Sequence, residues 1–419
     1  MQNGPAPTPP SSRMVEIDAL RGFCLLGILL VNIELIHSPS HYAELIGISL
    51  WTQPWDQAVD RFIDIFVAGK FYPIFSFLFG FGYVWFMRRA EREGHMRFFR
   101  RTALLLFFGL LHLFLFWWGD VLTWYAFTSL FLPLFYQIKP RTLLIWAFSL
   151  PFIPLMLTAL AVMFAGTNED LAYDPQWVTQ MKSLMESSLV AYGEGGFEEA
   201  FRQRLADIAF VSTNMIISAI FFVLPMFLLG MHAAKTKWLF PREESSRVVP
   251  AVGLVTLIIG IPFTLLKWWS EKRLNPELTT AYDLWNMAGT VLGDFPLSFF
   301  YICAVIYLYR RFARWKGWTV LASAGRMSLS NYLAQTIVLT TLFYGYGFAL
   351  YGRIGPATAL LIALVLYIAQ LVVSVLWMNR FTYGPMELLW RKGTYGFAFR
   401  SAQPDESKAN RGQQSNGGG

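Results

Sequence analysis

Long apolar runs alternate along the chain with short polar loops, and the runs have the length of bilayer crossings. Ten stretches approach the roughly 20 apolar residues that a helix needs to traverse the hydrocarbon core: residues 16–36, 71–88, 101–118, 121–137, 142–165, 208–231, 248–268, 287–309, 327–347 and 356–378. One segment departs from this pattern. Between 53 and 70, Asp56, Asp60 and Asp64 oppose Trp55, Val59, Phe62, Ile63 and Phe66, which predicts an amphipathic helix lying on the surface or re-entering the membrane. The pattern therefore predicts an all-α integral membrane protein of about ten transmembrane helices, with this segment after the first span. One polytopic domain, 15–400, is expected between a Pro-rich polar start (1–14) and a polar, Gly-ending tail (401–419), both disordered. The acidic stretch 166–207 is the largest outer loop and is able to form a small helical cap. Residues 380–398 read as a cytoplasmic interfacial helix, with Glu387 and Arg391 one turn apart.

Composition sharpens this reading. Hydrophobic residues make up 55% and charged residues 15%, against about 25% charged in ordinary soluble domains. The net charge of +7 does not point to nucleic acid, because its distribution is one-sided. The 88–101, 137–142, 232–248 and 310–326 loops carry six, two, four and five Lys or Arg, the tail after span ten carries six, and Arg13 and Arg21 complete 25 of the 34. The positive-inside rule puts that side, and both termini, in the cytoplasm. Trp117, Trp118, Trp124, Trp268, Trp269 and Trp315 stand at block edges, where interfacial belt residues are expected. Cys24 and Cys303 lie in apolar blocks and offer no disulfide or zinc framework, and the five histidines (37, 41, 95, 112, 232) have no metal-ligand spacing. No internal repeat, phosphate-binding glycine loop or nucleotide fingerprint is present.

Polar groups inside apolar spans are costly and each needs a reason. In span one, Asp18 and Arg21 are three residues apart, and Arg21 and Asn32 are eleven apart. The second spacing puts both on one face, about 16 Å apart along the axis. In span three, His112 stands in LLLFFGLLHLFLFWW, and Asp120 follows at the outer helix end after Gly119. A buried neutral imidazole is a usable general base, and a carboxylate that folds back to it makes a dyad. In span nine, Ser328, Asn331 and Gln335 form a polar stripe that serves either as interhelical glue or as a groove. Lys70 at the outer edge reads as an interface anchor, with Gly80 and Gly82 as close-packing positions, and Asp294 reads as a cap or a site residue.

Taken together, IDALRGFCLLGILLVNI, GKFYPIFSFLFGFG, GLLHLFLFWWGDVLTWYA, GRMSLSNYLAQ, YGFALYG and GPMELLWR resemble the YeiB-like family of bacterial inner-membrane proteins, in order over about residues 14–396. That family is grouped with the transmembrane acyltransferases, which include glycan O-acetylating enzymes and the lysosomal heparan-α-glucosaminide N-acetyltransferase. The glycan enzymes place a histidine eleven residues after an arginine. Here Arg21 matches the arginine but Asn32 stands at the histidine's position. The lysosomal enzyme is similar in having Asn there and its histidine further on, a place that His37 or His41 would fill. His112 is the histidine of the YeiB-like pattern.

The resemblance implies an enzyme moving an acyl group from a cytoplasmic acyl-CoA, as co-substrate, to an outer acceptor such as a glycan hydroxyl or a lipid-linked group. No tightly bound cofactor is implied. Arg21, Arg100 and Arg101 would hold the donor's phosphates. His112 would act as base in an outward-facing cavity, oriented by Asp120, and Asn32 would donate to the oxyanion. A second reading uses the same polar residues, Asp18 and the Ser328, Asn331 and Gln335 stripe included, to line the path of a carrier or channel.

Overall fold

The computed structural model describes residues 14–89, 94–165, 175–238, 245–274 and 280–396, and among these it is helical with no strand. The first half contains α1 (Val15–His37), α2 (Ser40–Glu44), α3 (Pro54–Phe66), α4 (Phe71–Arg89), α5 (Gly94–Leu115), α6 (Leu122–Ser129), α7 (Leu132–Phe135), α8 (Pro140–Ala165) and α9 (Pro175–Gly193). The second half contains α10 (Phe197–Ser218), α11 (Leu224–Thr236), α12 (Ser245–Glu271), α13 (Ala281–Gly289), α14 (Phe295–Arg311), α15 (Gly317–Arg326), α16 (Ser328–Phe343), α17 (Pro356–Arg380) and α18 (Pro385–Tyr395). The expected disordered termini lie outside the described residues apart from Met14, as does 166–174 of the expected outer loop.

Among the described residues, eight helical stretches are long and apolar enough to cross a membrane. The two other expected spans are shorter. Residues 121–137 divide into α6 and α7, and 327–347 forms the 16-residue α16 after a break from α15 at Met327. Both carry many buried residues, and backbone enclosed by protein escapes the demand that lipid-facing segments must meet. Helix α10 begins at Phe197, eleven residues before the expected span, so the described part of the 166–207 loop is helix α9 and the first turns of α10. Two π turns, Ala219–Val223 and Thr290–Asp294, join α10 to α11 and α13 to α14. A proline follows each, Pro225 and Pro296, and its missing N–H removes one helical bond.

Contacts at the loop ends sort the chain into two sets. At the basic end, Lys235 Nζ donates to the Tyr136 and Ile138 carbonyls, Arg326 donates to Thr382 O and Trp390 Nε1 donates to Arg101 O. At the opposite end, Gly352 N–H donates to His37 O, Gly345 N–H to Tyr192 O and Arg204 to Phe114 O. There Tyr42 and Tyr192 both donate to the buried Asp207.

Helix α3 is amphipathic in the sense suited to lipid: Trp55, Phe62 and Phe66 are exposed, while Asp56 is buried and accepts the Ala357 N–H at the start of α17. Trp117 and Trp118, expected in the lipid belt, are instead buried in the protein, whereas Trp269 and Trp315 are exposed as expected. The protein core is tightest where glycines meet backbone. A Cβ at Gly80 or Gly230 would strike the other helix's main chain between α4 and α11, and Gly22 and Gly325 do the same for α1 and α15. Gly82 is different: it faces open space towards Arg21.

Candidate functional site

Helix α5 ends at Leu115, four residues before Gly119, and the chain turns through Trp117 and Trp118. The Phe116 and Trp117 N–H groups both close on His112 O. Gly119 is required in this turn because a side chain there would meet the Trp117 ring. The turn brings Asp120 back beside His112. The imidazole Nδ1 lies 2.8 Å from Asp120 Oδ1, and both side chains are buried. Asp120 is held independently, since its Oδ2 accepts the Thr123 N–H at 2.7 Å and so caps the start of α6. With Nδ1–H donated to the carboxylate, the lone pair of the neutral ring is on Nε2, and Nε2 is buried with no hydrogen-bond partner among the described residues.

The principal cavity, about 390 Å³, opens at the basic end. Arg21, Arg89, Arg97, Arg101, Arg326 and Arg391 line it, against the carboxylates of Asp18 and Glu387. Among the described residues the lining thus counts six arginines against two carboxylates, a difference of four. Deeper, it becomes apolar, with Leu25, Ile28, Leu78, Phe79 and Leu105, and it ends at Val121, Leu122, Tyr125 and Tyr332. This cavity enters from the arginine side, and His112, expected beside an outward-facing cavity, is not among its lining residues.

Each expected site residue can now be placed. Arg21 lines the cavity and donates to Asp18 at 3.0 Å. Arg101 lines it too, stacked 4.2 Å over the Trp390 ring. Arg100 does not: it donates to Gly393 O and tethers α18. Asn32 is buried, and its Nδ2 has no partner among the described residues. It stands one turn beyond Ile28 on the face carrying Arg21, Leu25 and Ile28, and it makes no hydrogen bond to His112 or Asp120. The span-nine stripe divides. Ser328 lines the cavity, whereas Asn331 donates to Ser374 and Ala324, and Gln335 donates to Gln370, joining α16 to α17. Asn331 and Gln335 are therefore interhelical glue and not groove.

Glu387 ties α18 to α16. Its carboxylate accepts from the Leu329 and Ser330 N–H groups and the Ser330 hydroxyl, capping α16. His37 and His41 lie apart from the dyad. His37 stacks on Trp51, and burial depresses its basicity to a pKa of about 4. His41 packs between Tyr42 and Trp118, and burial takes it to about 3.

Two features escaped the sequence. Tyr332 packs on His112 with ring centroids 5.1 Å apart and donates to Asp120 at 3.3 Å; the only signal was its place in a polar helix start, SLSNY. Lys70, Asp294 and Lys267 form a buried triad, with Lys70 Nζ 2.9 Å and Lys267 Nζ 2.7 Å from the two carboxylate oxygens. Lys70 is thus no edge anchor. Gly69, at φ +80°, turns it inward, beside the π turn that presents Asp294.

Comparisons with known proteins agree with the order of these motifs. Residues 233–397 match the family described as "Protein of unknown function (DUF418)". The chain is 35% identical over 405 residues to the uncharacterized protein YxaH of Bacillus subtilis strain 168, covering 93% of this chain and 96% of the relative. It is 30% identical over 395 residues to an uncharacterized 39.9 kDa protein in the amylase 3' region of Bacillus acidopullulyticus, covering 92% and 95%. It is 26% identical over 420 residues to the uncharacterized protein YeiB of Escherichia coli K12, covering 95% and 100%. No solved structure matches. With near end-to-end similarity to these relatives, and the family's own segment lying across α11 to α18, the chain belongs to the DUF418 family of YeiB-like membrane proteins.

Proposed function

We propose that the protein is a membrane acyltransferase that takes an acyl group from a cytoplasmic acyl-CoA-like donor to an extracytoplasmic acceptor such as a glycan hydroxyl. One observation supports this most: a single cavity leads from an arginine rim, through an apolar throat, to the wall behind which the His112–Asp120 pair lies. A phosphorylated thioester has that order of parts, with polyanionic head, slender arm and acyl carbonyl. The four excess positive charges suit a polyphosphate better than a singly charged lipid headgroup.

In this reading the basic end is cytoplasmic, in the inner membrane, with both termini on that side. Arg21 and Arg101 hold the donor phosphates. His112 Nε2 accepts the proton of the acceptor hydroxyl as its oxygen attacks the thioester carbonyl carbon. The carbon–sulfur bond then breaks, and the thiolate leaves with the proton that His112 returns. Asp120 fixes the tautomer and steadies the imidazolium. The Asn32 amide, with Nδ2 unspent, is the candidate donor to the oxyanion.

The test is acyl transfer by purified protein in proteoliposomes with radiolabelled acetyl-CoA. His112→Ala should lower the rate by about 10²–10⁴ without loss of protein from the membrane. Asp120→Asn should slow it less, and Arg21→Ala should raise the donor concentration needed. Full activity in His112→Ala would refute the base assignment. Absence of CoA binding, together with solute uptake by the same vesicles, would favour a carrier.

A further inference from the structure

His112 and the basic-end cavity are neighbours without being connected, and one side chain belongs to both. Tyr332 lines the deep end of the cavity, yet it also lies against the imidazole at a ring separation of 5.1 Å and an angle of 45°. His112 itself does not line the cavity, and its Nε2 is closed off from solvent. The partition at this point is therefore an aromatic ring.

The fastenings of that ring are lighter than those of the pair behind it. The Tyr332 hydroxyl donates to Asp120 Oδ1 at 3.3 Å and accepts the Val121 N–H at 3.2 Å, both at or beyond the long end of normal hydrogen-bond range. The contacts that hold the dyad, His112 to Asp120 and Thr123 N–H to Asp120, are 2.8 and 2.7 Å. Releasing the tyrosine leaves Asp120 with both of these. The main chain at Tyr332 is not free to move, because α16 is bolted to α17 by Asn331 and Gln335 on either side of it. What remains is rotation of the side chain, which borders the cavity.

We propose that Tyr332 is a gate. Closed, its ring separates His112 from the cavity and keeps the base dry. Swung aside, it opens the cavity, and a phosphorylated thioester bound there, to the base at Nε2. The substrate class rests on the acyltransferase reading, but the gating concerns access alone and is measurable without turnover.

The probe is diethyl pyrocarbonate, which carbethoxylates a neutral imidazole, with modification of each histidine followed by peptide mass spectrometry on the detergent-solubilised full chain. A side chain that exposes its neighbour only in a minor state of roughly 0.1–10% population slows reaction in proportion. His112 should therefore react slowly in the wild type, about tenfold or more faster in Tyr332→Ala, and at an intermediate rate in Tyr332→Phe, which keeps the ring and loses its fastenings. His232, at the basic end with Nδ1 on Pro140 O, should react at one rate in all three. Equal His112 rates in wild type and Tyr332→Ala would overturn the gate. If Tyr332→Ala also accelerates His232, the fold has loosened, and the comparison of Tyr332→Leu with Tyr332→Phe decides by the same criterion. Gated modification combined with full acyl transfer in His112→Ala would leave the gate standing while removing the base assignment.

Discussion

At the scale of single residues, the strongest demands come from charges withdrawn from water. Lys70 and Asp294 are almost fully buried, and Lys267 is only partly exposed. One carboxylate between two ammonium groups makes each lysine tolerable, so the three are unequal in what their loss costs. Removing Asp294 leaves two like charges facing each other without the carboxylate that contacts both. Asp294→Ala should destabilise the protein by about 3–5 kcal/mol, the usual penalty for an uncompensated buried charge. Lys267→Met, which leaves the Lys70–Asp294 pair intact, should cost clearly less. Thermal unfolding in detergent micelles compares both with the wild type, and an Asp294→Ala midpoint equal to that of the wild type would show that the triad contributes nothing. The same reasoning explains why Lys70 was misread. An isolated lysine at the edge of an apolar block looks like an anchor, and its partners lie 197 and 224 positions away in the chain, on helices whose approach no local pattern reveals.

At the scale of elements, close approach is controlled by glycine. Gly80 and Gly82 look equivalent in sequence, yet only Gly80 is buried against a neighbouring backbone, the main chain at Phe227, while Gly82 opens onto the cavity near Arg21. Backbone atoms cannot yield as a flexible side chain can. Gly80→Ala and Gly230→Ala should each cost about 1–3 kcal/mol through overpacking, whereas Gly82→Ala should leave the thermal midpoint close to wild type. A midpoint for Gly80→Ala equal to that of Gly82→Ala would mean that α4 and α11 are less tightly joined than described. Amphipathic and polar patterns were legible at this scale only in part. The α3 pattern was plain from its three aspartates, and the Ser328–Asn331–Gln335 stripe was visible, but whether a stripe faces a groove or a helix depends on which partner arrives. Here α17 supplies Gln370 and Ser374 and takes two of the three.

At the scale of the whole molecule, the two sets of end contacts and the one-sided arginines set the proposed orientation. Single cysteines at Glu194 and Lys392, in a background without Cys24 and Cys303, should label from opposite faces of intact cells and inverted vesicles. Glu194 lies between α9 and α10, and Lys392 is on α18. Labelling of both from one face would refute the topology. The path also explains the cavity. The arginines that mark the basic end, on α1, α4, α5, α15 and α18, converge on it.

Hydropathy and motifs sufficed for the class of fold, the family and eight of the ten expected spans, because the cost of burying backbone and charge in hydrocarbon writes itself into composition over each 20-residue window. The sequence also singled out His112 and Asp120, since a titratable group in an apolar run stands out wherever it is. Only the tertiary structure decided which polar groups meet: that the bend after Leu115 joins that pair at 2.8 Å, that the cavity enters from the arginine side, that Arg100 turns away from it, and that Tyr332 stands between. Those outcomes depend on helix rotations and on contacts between residues distant in the chain, to which hydropathy is blind.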